Sequence, residues 1–184
     1  IVGVATDLNA EYGQIAFGGQ SWDASFRGVP ALPDSWNYYY STNSRLAGGL
    51  FTPAPDYLFV NLGTNGGVNA STLSSWLTSV RAAAGNACDI FVIVPFNRSG
   101  SANTTTGFNN YKTASGDANV FLIDLGSDGN TYSTTTPTYS NDGLHPNIAG
   151  HAQLRTLVSA AALSDIDETA PIISSVSATP STTT

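Results

Sequence analysis

The stretch Tyr57-Leu58-Phe59-Val60-Asn61-Leu62-Gly63-Thr64-Asn65-Gly66-Gly67 passes from a nearly unbroken apolar run into a glycine-rich turn. Its first half has strand length and is rich in Val, Leu and aromatic residues, the pattern of a strand covered on both faces in a parallel sheet. Ile90–Pro95 and Val120–Leu125 repeat that pattern, and Gln14–Phe17 is a shorter candidate of the same kind. Segments with helical character follow the later runs: Ser71–Ala84, Thr106–Ser115 and Asn147–Leu163. In the first of these Leu73, Trp76, Leu77 and Val80 fall on one helix face, with Ser71 as the expected N-cap. Strand and helix alternate, which predicts a doubly wound α/β fold around a parallel sheet. Ligands of such sheets bind beyond the carboxyl ends of the strands, so chemistry is expected in the loops after Phe17, Leu62, Pro95 and Leu125.

A length of 184 residues suits one core of about 100–200 residues and not two. Six Lys and Arg against thirteen Asp and Glu, a net charge of -7, offer no basic field to nucleic acid or another polyanion. No run reaches the roughly 18–20 apolar residues that span a bilayer. The single cysteine, Cys88, excludes an internal disulfide and reads as a small buried hydrophobe at the start of a strand. An acidic composition rich in Ser, Thr and Asn is common in secreted bacterial proteins, so an extracellular setting, secreted or cell-surface, is expected. Asn69-Ala-Ser71, Asn97-Arg-Ser99 and Asn103-Thr-Thr105 fit the glycosylation pattern, which chance produces in such a composition.

Both ends break the alternation. Ile1–Ala10 carries Ile1, Val4, Ala5 and Leu8 at helical spacing without a start signal, and the chain holds no Met. It reads as the second half of a helix whose beginning, with the strand before it, lies upstream. At the other end Asp165–Glu168 is an acidic break, followed by Thr169-Ala170-Pro171, the alternating Ile172–Ala178 and a Pro/Ser/Thr tail. Residues 1–164 are thus expected to form the α/β domain. Residues 165–184 read as a linker and the start of a further β-sandwich module of fibronectin or immunoglobulin type, the plainer alternative being a frayed tail.

The strongest chemical signal is Asn141-Asp142-Gly143-Leu144-His145-Pro146-Asn147. A general base needs an imidazole held in one tautomer by a carboxylate, and Asp142, three residues before His145, can supply that from one segment. Pro146 suits the first helical position and would fix His145 at the helix start. The plainer reading is Asp142 as a helix cap beside an incidental surface histidine. His151 reads as helix surface or helix packing. In the turn after Leu62, Asn65 is a neutral amide donor suited to a developing oxyanion, although Asn-Gly is first of all a turn dipeptide. Phe17-Gly18-Gly19-Gln20-Ser21-Trp22 ends another candidate strand, where free backbone N–H groups at Gly19 or Ser21 could add donors. Nothing around Ser21 marks it as a nucleophile.

Together these segments, from about Leu8 to Leu163, resemble the SGNH hydrolases (GDSL esterase/lipase family), and among them the carbohydrate O-acetylesterase-like members of secreted bacterial proteins. The resemblance implies a three-layer α/β/α sandwich of flavodoxin-like type, with its first strand upstream of this chain. It implies Asp142 and His145 as catalytic residues and Asn65 as oxyanion donor, with Ser21 or Gly19 contributing a backbone N–H. The family's Gly-x-Asn-Asp block falls on Gly63-Thr64-Asn65-Gly66, where Gly66 replaces the final Asp. Its Gly-Asp-Ser block occurs nowhere in the chain, so the nucleophilic serine is expected upstream and no serine present is assigned that role.

The reaction implied is cleavage of a carboxylic ester through an acyl-enzyme, on an acetylated carbohydrate or other small ester. Aromatic residues at Trp36-Asn37-Tyr38-Tyr39-Tyr40 could stack on sugar rings or simply pack. No metal or organic cofactor is expected, since two His and one Cys cannot build a dedicated zinc site and no P-loop or dinucleotide fingerprint is present. The competing expectation is a non-catalytic glycan-binding or adhesive module on an esterase-like scaffold. The chain by itself, lacking the nucleophile, is expected to be inactive.

Overall fold

A computed structural model describes residues 2–23, 28–40, 43–126 and 139–169. Three strands, β3 (Tyr57–Asn61), β4 (Asp89–Ile93) and β5 (Val120–Ile123), form a parallel sheet in the order β3-β4-β5, as the three apolar runs predict. Ahead of them lie α1 (Val2–Asp7), α2 (Leu32–Ser35) and a two-stranded antiparallel ribbon of β1 (Tyr38–Tyr40) and β2 (Asn43–Ser44). The helices α3 (Ala70–Ala84) and α4 (Ser101–Ser115) separate the sheet strands, and α5 (Ile148–Thr169) follows them.

Side chains alternate along each strand, so the sheet feeds two cores. Leu58, Val60, Ile90, Val92, Val120 and Leu122 pack with Leu73, Trp76, Leu77, Phe108 and Tyr111 of α3 and α4. The intervening residues pack with Val4 of α1 and Val158 and Ala162 of α5. On that second face Phe59, Phe91 and Phe121 share one register and stack across the sheet, with ring centroids 4.6 and 5.2 Å apart. The result is a mixed α/β fold with helices against both faces of a parallel sheet.

The predicted apolar face of α3 is buried, but its cap is Asn69 rather than Ser71. The Asn69 Oδ1 accepts from the backbone N–H groups of Ser71 (2.9 Å) and Thr72 (3.4 Å), because the cap lies two residues earlier than expected. Helix α4 starts five residues earlier than expected: its first turns are polar, and Gly107 lets it approach α3 closely, an added Cβ there meeting the Ala70 carbonyl at 2.7 Å. Helix α5 runs to Thr169, through the acidic Asp165–Glu168 stretch, rather than stopping at Leu163. Residues 170–184, which carry most of the expected linker and β-sandwich start, lie outside the described residues.

Gln14–Phe17 is not a strand: no described strand pairs with it, and Ile15 and Phe17 are exposed. An apolar run gains strand structure only from a partner ladder, and the described sheet ends at β3 on one side. The aromatic Tyr38–Tyr40 stretch forms the β1 strand, with Tyr39 and Tyr40 exposed and the Arg45 guanidinium over the Tyr39 ring.

Two polar clusters hold the layers. Arg81, nearly buried, donates from Nε to the Asp117 carboxylate (2.7 Å) and from its terminal nitrogens to the carbonyls of Gly85, Cys88 and Asn119. It thereby ties the end of α3 to the segments entering β4 and β5. Burial raises the Asp117 carboxyl, but hydrogen bonds from Tyr111 and Arg81 outweigh it and hold the group below its ordinary value. On the other face Asp7 of α1 accepts from Arg155 Nε (2.9 Å) and Ser159 Oγ (2.7 Å) of α5. Gly3 also lies against the Arg155 side chain. Cys88 is buried, as its setting predicts, and burial pushes its thiol up to about 11.

Candidate active site

The residues singled out in the sequence lie in three places: the turn after β3, the Gly18–Asp23 loop between α1 and α2, and the Tyr139–Asn147 loop before α5. After β3, the turn Gly63–Gly67 is built on left-handed glycines and clasps the Gly18–Asp23 loop. The Trp22 indole donates to the Leu62 carbonyl (3.0 Å), and the Asn65 side-chain amide donates to the Gln20 carbonyl (3.1 Å). Gly67 has φ +75°, and a Cβ there would lie 1.8 Å from the Asp23 carboxylate, so only glycine allows the two loops to close this far. Asn65 is thus brought beside Gly19 and Ser21. Gly19, in a left-handed turn with φ +87°, is half-buried, whereas Ser21 is buried and its carbonyl accepts from Leu32. Of the two backbone donors that the sequence leaves open, Gly19 is the more accessible. Gln20 itself is locked by its side chain, which donates to Ser35 Oγ (3.0 Å) and the Pro30 carbonyl (3.3 Å).

Before α5, the loop Tyr139–Asn147 closes on itself: Ser140 bridges Pro146, and Asn147 N–H donates to the Tyr139 carbonyl (2.8 Å). The Asn147 Oδ1 accepts from Gly150 N–H (3.0 Å), so Asn147 caps α5 and Pro146 lies ahead of the cap, not at the first helical position. A Cβ on Gly150 would meet the Tyr139 carbonyl at 2.3 Å, which makes glycine the residue that seats the loop on the helix.

Within this loop Asp142 and His145 are in contact. Nδ1 of His145 lies 2.6 Å from Asp142 Oδ2, while Asp142 Oδ1 accepts from the backbone N–H of His145 (2.7 Å) and of Leu144 (2.9 Å) and from Ser140 Oγ (3.2 Å). The hydrogen bond from the His145 ring, followed by those from the two backbone N–H groups, holds the Asp142 carboxyl well below the usual carboxylate range. An ionised carboxylate only accepts, so His145 Nδ1 carries a proton, and in the neutral imidazole Nε2 is then the nitrogen with the lone pair. The imidazole is 76% exposed, leaving Nε2 open to a reacting group. The cap-like role weighed for Asp142 is present too, but directed at its own loop; the cap of α5 is Asn147. His151 is exposed, and it lines a hollow with Pro146 and Ile148.

Several supporting residues carried no sequence signal: Ser140, Gly150 and Gln20 act through contacts visible only once the chain is folded. Arg98, left-handed at φ +64° in the loop after β4, pairs with Asp124 just beyond β5 and links two of the carboxyl-end loops. The three glycosylation-pattern asparagines all serve local structure, Asn69 as a helix cap, Asn97 in a turn to Ser99 and Asn103 as donor to the Val68 carbonyl. Among the described residues no three His, Cys, Asp or Glu side chains gather as a metal site needs, and no helix is long and apolar enough to cross a membrane. No family model, no curated protein and no solved structure matches the chain.

Proposed function

We propose that the chain is the larger part of a serine ester hydrolase of SGNH type, a three-layer α/β/α sandwich whose first strand and nucleophilic serine lie upstream. The observation that carries this reading is the Asp142–His145 pair: an ionised carboxylate fixes the tautomer of an open imidazole from three residues away. In the proposed reaction the serine hydroxyl attacks the ester carbonyl as His145 Nε2 takes its proton, and the C–O bond to the alcohol breaks as His145 returns that proton to the leaving oxygen. Water, activated by the same imidazole, then cleaves the acyl-enzyme to the acid. The Asn65 amide and the Gly19 N–H are the proposed donors to the oxyanion, with Ser21 N–H as the alternative.

An acetylated carbohydrate is the proposed substrate, in an extracellular bacterial setting with a β-sandwich module following in the chain. The supports are the resemblance, the exposed Tyr39 and Tyr40 and the acidic composition. The test is release of acetate from acetylated xylan and from p-nitrophenyl acetate by the intact protein. His145→Ala is expected to abolish both, and activity unchanged by that substitution removes His145 from the mechanism. Glycan binding by the intact protein without any ester cleavage favours the non-catalytic module instead.

A further inference from the structure

Gln20 is 3% exposed, although glutamine mostly stays at protein surfaces and the glycine-rich turn around it needs no particular side chain there. Burying a side-chain amide is unfavourable unless its polar groups are matched. Here the match comes from one neighbourhood: Nε2 donates to Ser35 Oγ (3.0 Å) on α2 and to the Pro30 carbonyl (3.3 Å) just ahead of that helix. Ser35 Oγ is held in turn, donating to the Ala31 carbonyl (2.8 Å) one turn back. The backbone on both sides of Gln20 is tied as well. Gln20 N–H donates to the Phe17 carbonyl (3.1 Å), and Leu32 N–H donates to the Ser21 carbonyl (2.9 Å).

What these contacts hold still is the Gln20 carbonyl, the acceptor of the Asn65 side-chain amide (3.1 Å). Asn65 is exposed, and a side chain on a glycine-rich surface turn otherwise samples several rotamers. A donor stabilises an oxyanion to the extent that it is already aimed before charge develops. Among the described residues the Gln20 carbonyl is the acceptor that restrains this amide, so the aim of Asn65 is set from across the loop pair. The line of support runs from α2 through the Ser35 hydroxyl and the Gln20 side chain to the Gln20 carbonyl and then to Asn65.

We propose that Gln20, backed by Ser35, is a positioning residue that sets the direction of the Asn65 amide by fixing its acceptor to α2. The proposal rests on the ester-cleaving reading with Asn65 as oxyanion donor. Neither Gln20 nor Ser35 touches the substrate in it; both act through Asn65.

The test is steady-state kinetics of the intact protein on p-nitrophenyl acetate, with a melting curve for every variant. Gln20→Met keeps the length of the side chain and removes its N–H donors. It is expected to lower kcat about 10- to 100-fold with KM within about twofold, less than outright loss of an oxyanion donor. In an Asn65→Ala background the same substitution is expected to lower kcat no more than about twofold further, because a residue that acts through Asn65 then has nothing to position. Ser35→Ala is expected to lower kcat about three- to tenfold, and Ser35→Thr, which keeps the hydroxyl, to restore it. That pair carries the test if Gln20→Met does not fold. Hydrogen exchange of the Asn65 side-chain amide, followed by NMR, should be faster in Gln20→Met and in Ser35→Ala than in the wild type. Full kcat in folded Gln20→Met or in Ser35→Ala, a change confined to KM, unchanged exchange at Asn65, or an equal loss in the Asn65→Ala background overturns the proposal and leaves the ester-cleaving reading in place. A wild-type protein that cleaves no ester overturns that reading, and the positioning role with it.

Discussion

The side-chain amide of Asn65 donates to the carbonyl of Gln20 at 3.1 Å, joining two loops 45 residues apart in the chain. That bond uses one of the amide's two hydrogens and fixes the plane in which the other points. On the proposed mechanism, Asn65→Ala in the intact protein is expected to lower kcat about 100- to 1,000-fold with little change in KM, the signature of a donor that acts on the transition state. Steady-state kinetics on p-nitrophenyl acetate check this, and a variant that raises KM alone places Asn65 outside oxyanion stabilisation.

Gly150→Ala separates helix stability from site geometry. Alanine favours a helix interior over glycine by about 1 kcal/mol. Its Cβ, however, would sit 2.3 Å from the Tyr139 carbonyl and 3.2 Å from Pro146 Cβ, so the His145 loop must move off α5. The expected outcome is a nearly unchanged melting temperature with the proposed ester hydrolysis down about 100-fold, the scale of an ångström-sized displacement of a group in the proposed catalytic role. Hydrogen exchange at Leu144 and His145 should rise in the same variant.

Asp7 gives the tie between α1 and α5 a pH dependence. The hydrogen bonds from Arg155 and Ser159 lower its carboxyl to about 2, below the value of about 3.9 expected in the unfolded chain. The folded state therefore binds fewer protons in that window. The stabilisation is complete above about pH 4 and is lost as pH falls through about 2. Melting curves between about pH 5 and pH 2 should fall more steeply for the wild type than for Asp7→Asn. Parallel curves would show that the contact contributes nothing measurable.

Arg81→Met is expected to destabilise the fold by about 3–5 kcal/mol, because it leaves the nearly buried Asp117 carboxylate without its counter-charge and removes the Arg81 hydrogen bonds to three carbonyls. Arg81→Lys should recover only part, since one ammonium cannot reproduce the planar fork that reaches Asp117, Gly85, Cys88 and Asn119 together. Urea unfolding of the two variants measures the difference. The Cys88 thiol, whose carbonyl Arg81 holds, should react with a thiol reagent only as the chain unfolds.

The parts of the fold legible in the sequence are those whose signal is local and periodic. The runs at Tyr57, Ile90 and Val120 became β3, β4 and β5, because a strand buried on both faces must be apolar throughout. Gln14–Phe17 carries a similar pattern but has no described partner, and pairing is not a property of one segment. Helix α4 was half hidden because Ser101–Thr105 offers no apolar stripe; its contact with α3 depends on Gly107, whose missing side chain leaves no mark in a hydrophobic pattern. In the candidate site Asp142 and His145 were readable because both lie on one short loop. The clasp between Asn65 and Gln20, the Gly67 approach to Asp23 and the Gly150 seat are long-range or subtractive, so no spacing rule announces them.

The β3 strand pairs with β4 on one side only among the described residues. Its other side has no partner among the described residues, and a strand edge left open in this way can template a strand from any source, including a second molecule. At neutral pH the net charge of -7 opposes such encounters. Near the isoelectric point of about 4.3 that repulsion vanishes, so this chain is expected to become turbid in mildly acidic buffer well before its helices melt.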